Sequence, residues 1–151
     1  MVEASSKAAP ISSNRDAGKR PLVFIVDDDR DTVSTLSFIL ESEGYSVFGM
    51  YNGTLALREL RRLKPAALIL DIDLPGPSGY AIARDIRDEY GERSPLLIAI
   101  TGVWVKSTDR LLSQMVGFDH FCVKPCEPSE LLKLLEPLRN GPALSGDETL
   151  G

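Results

Sequence analysis

Asp27 and Asp28 follow the apolar run Leu22–Val26, and Asp71 follows a second such run at residues 67–70. Thr101 closes residues 96–100, and Lys124 closes residues 121–123. Acids, a hydroxyl and an amine, each at the C-terminal end of a strand-like run, are the parts of a site for a divalent cation and a phosphoryl group. Phosphoryl transfer needs a positioned nucleophile, neutralised oxygen charge and controlled water. A carboxylate can be that nucleophile and form an acyl phosphate, but unaided it repels the incoming phosphate. Mg²⁺ removes the obstacle, because it takes one or two carboxylates and keeps several waters and a phosphate oxygen. On this reading Asp28 and Asp71 are direct ligands and Asp27 acts through water. Lys124 supplies a point charge to a phosphate oxygen, and Thr101 supplies a hydroxyl donor. Singly, each residue has a plainer explanation: an Asp after a strand often caps a helix, and a lone lysine is usually solvated. Their order and joint placement carry the reading.

The elements that would position these groups follow from periodicity. Leu22–Val26 is continuously apolar and bounded by Pro21 and Asp27, as a fully buried strand should be. Val33, Leu36, Ile39 and Leu40 then recur at helical spacing, and Gly44 suits the residue just past a helix end. Residues 45–50 read as a second strand, Asn52-Gly53 as a turn, and Thr54 as the cap of the next helix. That helix carries Leu55, Ala56, Leu60 and Leu63, is stopped by Pro65, and has a basic face of Arg58, Arg61, Arg62 and Lys64. The face reads most simply as solvated. Residues 67–72 form a third strand, followed by the Pro- and Gly-rich loop 73–79. Ile82, Ala83, Ile86 and Tyr90 mark the next helix, and 96–100 the fourth strand. A weaker helix is expected around 108–116, a short strand at 121–123 and a last helix at about 128–138, beginning with Pro near its first position. Strand and helix thus alternate five times. Apolar parallel strands covered by crossover helices on both faces make an α/β doubly wound sheet, whose strand C-termini share one ligand-binding edge.

At 151 residues the chain is one domain by size. Its 17 basic and 22 acidic residues give a net charge of −5, which argues against non-specific nucleic-acid binding. No apolar run nears the roughly 20 residues of a membrane helix. Residues 1–20 lack the apolar region of a secretory signal and read as a disordered tail. The folded unit is expected at 21–139, with a C-terminal tail at 140–151. Two cysteines are too few for a disulfide framework, so a reducing, cytoplasmic setting is the expectation.

The chain resembles the receiver domains of two-component response regulators, of the chemotaxis-regulator type. The resemblance rests on Val26-Asp27-Asp28-Asp29, Tyr51-Asn52-Gly53, Leu70-Asp71-Ile72-Asp73-Leu74-Pro75-Gly76, Ile100-Thr101-Gly102 and Val123-Lys124-Pro125. It implies a flavodoxin-like five-stranded parallel sheet of order 2-1-3-4-5 with five helices. It implies that Asp71 is the phosphoacceptor, that Asp27 and Asp28 form the acidic pocket, and that the backbone carbonyl of Asp73 completes a Mg²⁺ shell. A cis bond at Lys124-Pro125 would match the family, since X-Pro bonds reach cis at low cost. The resemblance further implies a signal. The Thr101 hydroxyl moves toward the phosphoryl group and Phe121 rotates inward, which biases the face made by helix 4 (108–116), strand 5 and helix 5. Plain core packing is the alternative role for Phe121.

The implied function is a phosphorylation-controlled switch, not an enzyme beyond self-catalysed phosphoryl acceptance and slow autodephosphorylation. It would take its phosphoryl group from the phosphohistidine of a histidine kinase or histidine phosphotransfer protein and act on a downstream protein. Neither nucleic acid nor membrane is expected as a partner, no output domain is read in this chain, and a homodimer through the helix 4–strand 5–helix 5 face is compatible. Two alternatives stand beside this. One is a receiver excised from a hybrid histidine kinase. The other is a phosphatase of the haloacid-dehalogenase type using Asp71 and Asp73, opposed by the position of Asp27-Asp28 before the nucleophile strand. His120, the single histidine, reads as structural. Cys122 and Cys126 read as a buried and a semi-exposed thiol rather than metal ligands. Trp104 reads either as packed down or as a partner contact.

Three positions depart from the family pattern. Gly102 stands where alanine is frequent, which implies a more mobile loop, and Ser78 where many relatives carry Asp. Val103 offers no hydrogen bond to an attacking water, so the phosphoryl group should be long-lived. Val103→Glu is expected to speed its loss severalfold, measured as the decay of phosphorylated protein after removal of the donor.

Overall fold

The computed structural model of the protein describes residues 20–102 and 117–150, the last eleven by their backbone only. Expectations for residues 1–19, Val103, Trp104 and the helix at 108–116 lie outside the described residues. The elements are β1 (Leu22–Val26), α1 (Arg30–Ser42), β2 (Ser46–Met50), α2 (Ala56–Leu63), β3 (Ala67–Asp71), α3 (Gly79–Tyr90), β4 (Leu96–Thr101), β5 (His120–Val123) and α4 (Pro128–Leu150), with a 3₁₀ turn at Gly91–Arg93. The five strands are all parallel and ordered β2-β1-β3-β4-β5, as the family resemblance implies.

Side chains alternate across a strand, so each apolar run serves two layers. Phe24, Val26, Leu68, Leu70, Leu97 and Ala99 pack with Ala56 and Leu60 of α2 and with Ile82, Ala83 and Ile86 of α3. Their neighbours Val23, Ile25, Ala67, Ile69, Ile98 and Ile100 pack instead with Val33, Leu36 and Leu40 of α1 and with Leu131 and Leu135 of α4. Helices on both faces bury the sheet, with each large aliphatic side chain contributing about 1.5–3 kcal/mol. The Tyr45 hydroxyl donates to the Leu135 carbonyl at 3.1 Å and ties α4 to the start of β2.

Helix ends follow local chemistry. The Asp29 side chain accepts from the Asp31 N–H at the start of α1, and Gly44 takes φ +99° just beyond its end. Ser78 caps α3 through the Ala81 N–H. Two expectations are corrected. Thr54 does not cap α2: Asn52 Oδ1 accepts from the Thr54 N–H at 2.9 Å, so the Asn turn organises the entry, and the N-cap residue is Leu55. The last helix does not end near Leu138 but continues to Leu150. Apolar periodicity marks where a helix buries a face, and propagation adds one hydrogen bond per residue beyond that point.

Gly79 is required where it stands. A Cβ there would meet the Asp71 carbonyl oxygen and the Ile72 Cα, each at 2.7 Å. The start of α3 therefore lies directly against the end of β3. Gly79→Ala should lower stability by about 1–3 kcal/mol through overpacking, despite alanine's better helix propensity. Urea unfolding checks this, with the midpoint expected to fall at unchanged slope.

Candidate functional site

The strand order places β1 and β3 side by side at the point where the chain's crossovers change direction, which is where sheets of this kind form a ligand crevice beyond the strand C-termini. Asp71 is the last residue of β3, Thr101 the last of β4, Asp27 and Asp28 follow β1, and Lys124 follows β5. Asp27, Asp28 and Asp71 each offer a carboxylate oxygen within 4.8 Å of the others. Asp27 is 0% and Asp71 4% exposed, whereas Asp28 faces solvent.

Each buried carboxylate is held by the backbone two residues on. Asp27 Oδ1 accepts from the Asp29 N–H and Asp71 Oδ1 from the Asp73 N–H, both at 2.9 Å. Their second oxygens face one cation: Lys124 Nζ lies 2.8 Å from Asp27 Oδ2 and 3.4 Å from Asp71 Oδ2. The nearer contact is Coulombic rather than well directed, and Asp27 Oδ2 remains a buried oxygen with no hydrogen-bond partner of good geometry. Burial holds the Asp71 carboxyl above the usual carboxylate range, and the charge of Asp27 pushes the same way, against the Asp73 N–H and Lys124. Burial opposes the Lys124 charge as well, but pairing with Asp27 and Asp71 prevails and raises it above the ordinary lysine value.

Thr101 Oγ1 donates to Asp73 Oδ2 at 3.3 Å, so a polar chain runs from Lys124 through Asp71 and Asp73 to Thr101. The Lys124 N–H also donates to the Thr101 carbonyl at 2.7 Å, which locks the ends of β4 and β5 together. Lys124-Pro125 is cis. Phe121 is half-buried against the core layer that α2 and α3 cover. Trp104 lies outside the described residues. Sequence reasoning missed Arg30, whose guanidinium sits 4.0 Å from the centroid of the Tyr51 ring and links the acidic turn to the end of β2. Nothing in the spacing of those two residues signals the contact, since different strands lead into them. The sequence also gave no sign that Glu130 would join Cys122 and Cys126.

The donor set fits a hard divalent cation. Three clustered carboxylates, one of them exposed, exceed in charge the one ammonium near them among the described residues, and one buried oxygen lacks a directed partner. Asp28, Asp71 and Asp27 are the side chains able to hold Mg²⁺; the Asp73 side chain turns to Thr101 instead, leaving only its backbone carbonyl for that role.

Comparison with known proteins agrees with this geometry. Residues 23–136 match the family model described as the response regulator receiver domain. The chain is 33% identical over 113 residues to the DNA-binding response regulator MtrA of Mycobacterium tuberculosis, covering 75% of this chain and 48% of that protein. It thus spans about half the length of the curated relatives it matches first. The CheY-like receiver domain protein of Methanospirillum hungatei superposes with a TM-score of 0.72 at 24% identity, over 87% of this chain and 99% of that one, which speaks to the fold. The BeF3-activated receiver domain of Klebsiella pneumoniae RstA gives 0.70 at 25% identity, over 76% of this chain and 95% of that one.

Lys124→Met would strand the fully buried Asp27 carboxylate without a counter-charge. The expected cost is roughly 3 kcal/mol in metal-free buffer, most of it recovered by adding Asp27→Asn, and urea unfolding of the single and double variants measures both. The five-stranded order, the carboxylate crevice and the family match together place this chain in the response regulator receiver domain family.

Proposed function

We propose that the chain is a phosphorylation-controlled switch of a two-component phosphorelay, with its receiver unit at residues 21–139 and Asp71 as phosphoacceptor. The observation that carries this reading is the setting of Asp71. It is a nearly buried carboxylate at a strand end, beside two further acids and 3.4 Å from Lys124 Nζ. Asp28, Asp71 and the Asp73 carbonyl, with Asp27 through water, would hold Mg²⁺, which would supply a charge that offsets the carboxylates and the incoming phosphate oxygens.

The remaining chemistry belongs to the chain. An Asp71 carboxylate oxygen attacks the phosphorus of a partner's phosphohistidine. The O–P bond forms as the P–N bond breaks, and the leaving imidazole nitrogen takes a proton. Lys124 turns its ammonium from Asp71 to a phosphoryl oxygen, and burial of the site strengthens that contact. Thr101 exchanges its acceptor Asp73 for another phosphoryl oxygen. Because the Lys124 N–H is bonded to the Thr101 carbonyl, displacement at the end of β4 reaches β5, where Phe121 can turn inward. The face formed by β5 and α4 would then change its preferred partners.

The donor is a histidine kinase or histidine phosphotransfer protein, the readout is a downstream protein, and the setting is the cytoplasm. Among the described residues no helix is long and apolar enough to cross a membrane. Acetyl phosphate with Mg²⁺ tests the proposal. One phosphoryl group per chain is expected by intact mass, with incorporation reduced to background by Asp71→Asn or by EDTA. Labelling that persists in Asp71→Asn, or steady turnover of a generic phosphate monoester, overturns it.

A further inference from the structure

A second cluster of ligand-type side chains shares no residue with the acidic crevice. Cys122 lies in β5, Cys126 in the loop beyond it, and Glu130 in the first turn of α4. Both Sγ atoms and one carboxylate oxygen lie within 4.8 Å of one another. The Cys122 thiol donates to Glu130 Oε2 at 3.7 Å. Cys122 is only 3% exposed, Cys126 is half-buried and Glu130 faces solvent, so the cluster has a core floor and an open side. Both cysteines are free thiols. Three separate elements converge on this point, which helical spacing within α4 alone could not achieve.

We propose that Cys122, Cys126 and Glu130 form a binding site for a thiophilic divalent cation of the zinc class, with a fourth position open to water or to a ligand from outside. Two thiolates and a carboxylate around such an ion require S···S separations of about 3.8 Å for tetrahedral bonds of about 2.3 Å. The two Sγ atoms already lie within 4.8 Å of one another. Binding releases the two thiol protons to solvent, and the three anionic ligands leave a net charge of one minus on the site. The neighbouring Cys122 thiol holds Cys126 below the usual thiol range against burial and the Glu130 charge, while the same contact, burial and Glu130 push Cys122 up. Cys126 is therefore the sulfur that ionises first, and Glu130 adds an oxygen ligand for a cation. The two sites differ in hardness: sulfur selects the softer ion and the oxygen crevice suits Mg²⁺. Lys124 lies between the two cysteines, so an ion held here would tie the end of β5 to the start of α4 across the segment that presents that ammonium.

The test titrates the reduced, metal-free full chain with Co²⁺ in excess Mg²⁺ and follows the near-ultraviolet thiolate-to-cobalt charge-transfer band, which a carboxylate site cannot produce. One equivalent of Co²⁺ should develop the band and Zn²⁺ should bleach it. Cys126→Ser should abolish it, and Glu130→Gln should weaken Zn²⁺ binding about tenfold or more while leaving sulfur ligation visible. Both substituted side chains reach solvent, and their melting temperatures report that the fold is kept. Absence of the band overturns the proposal, as does a band or Zn²⁺ affinity unchanged in Cys126→Ser. Ready formation of an internal disulfide with glutathione disulfide, without any cobalt band, overturns it in favour of a dithiol pair.

Discussion

The crevice is organised around an unbalanced charge. Asp27, Asp28 and Asp71 converge within 4.8 Å, and Lys124 is the ammonium set among them. Burying Asp27 and Asp71 is tolerable because each has a backbone N–H on one oxygen and the same ammonium near the other. A second cation, or a phosphoryl group that redistributes the contacts, therefore acts on a site already held away from neutrality. Electrostatic leverage of this kind is strongest where water is excluded.

The sheet supplies the geometry that the charges require. Parallel strands covered on both faces point their C-termini to one edge, and reversal of the winding between β1 and β3 leaves space there. Close approach at Gly79 seats α3 against the end of β3, so the backbone around Asp71 has little freedom. At the other side of the crevice, the Lys124–Thr101 backbone bond ties the ends of β4 and β5 together. Support on one flank and a linked pair of strands on the other are what the proposed switch would use to pass a change at Asp71 toward β5 and α4.

The segment from Cys122 to Glu130 carries two sets of ligand-type groups. Its lysine faces hard oxygen anions, and the cysteines around that lysine face a carboxylate from α4. The close spacing of these groups means that whatever occupies the thiol cluster bears on the same backbone that positions the ammonium.

Much of this was legible before any coordinates. Short apolar runs with polar residues at their ends identified the strands and located Asp27, Asp28, Asp71, Thr101 and Lys124 on one edge, because period and bounding residues are local properties. Gly44 announced a helix end for the same reason, whereas Ser78 was read only as part of the loop 73–79 and proves to cap α3. Local signals failed where alternatives competed within a few residues, as when Asn52 rather than Thr54 organised the entry to α2, or where periodicity lapsed before the helix did, as in α4. Residue order determined the fold class and the chemical kinds of group at the crevice. Only the tertiary structure decided that Lys124 stands nearer Asp27 than Asp71, that Asp73 engages Thr101, and that Glu130 meets two thiols. The first two depend on distances between elements remote in sequence, and the third on how the chain turns between β5 and α4, which packing sets and no periodic pattern encodes.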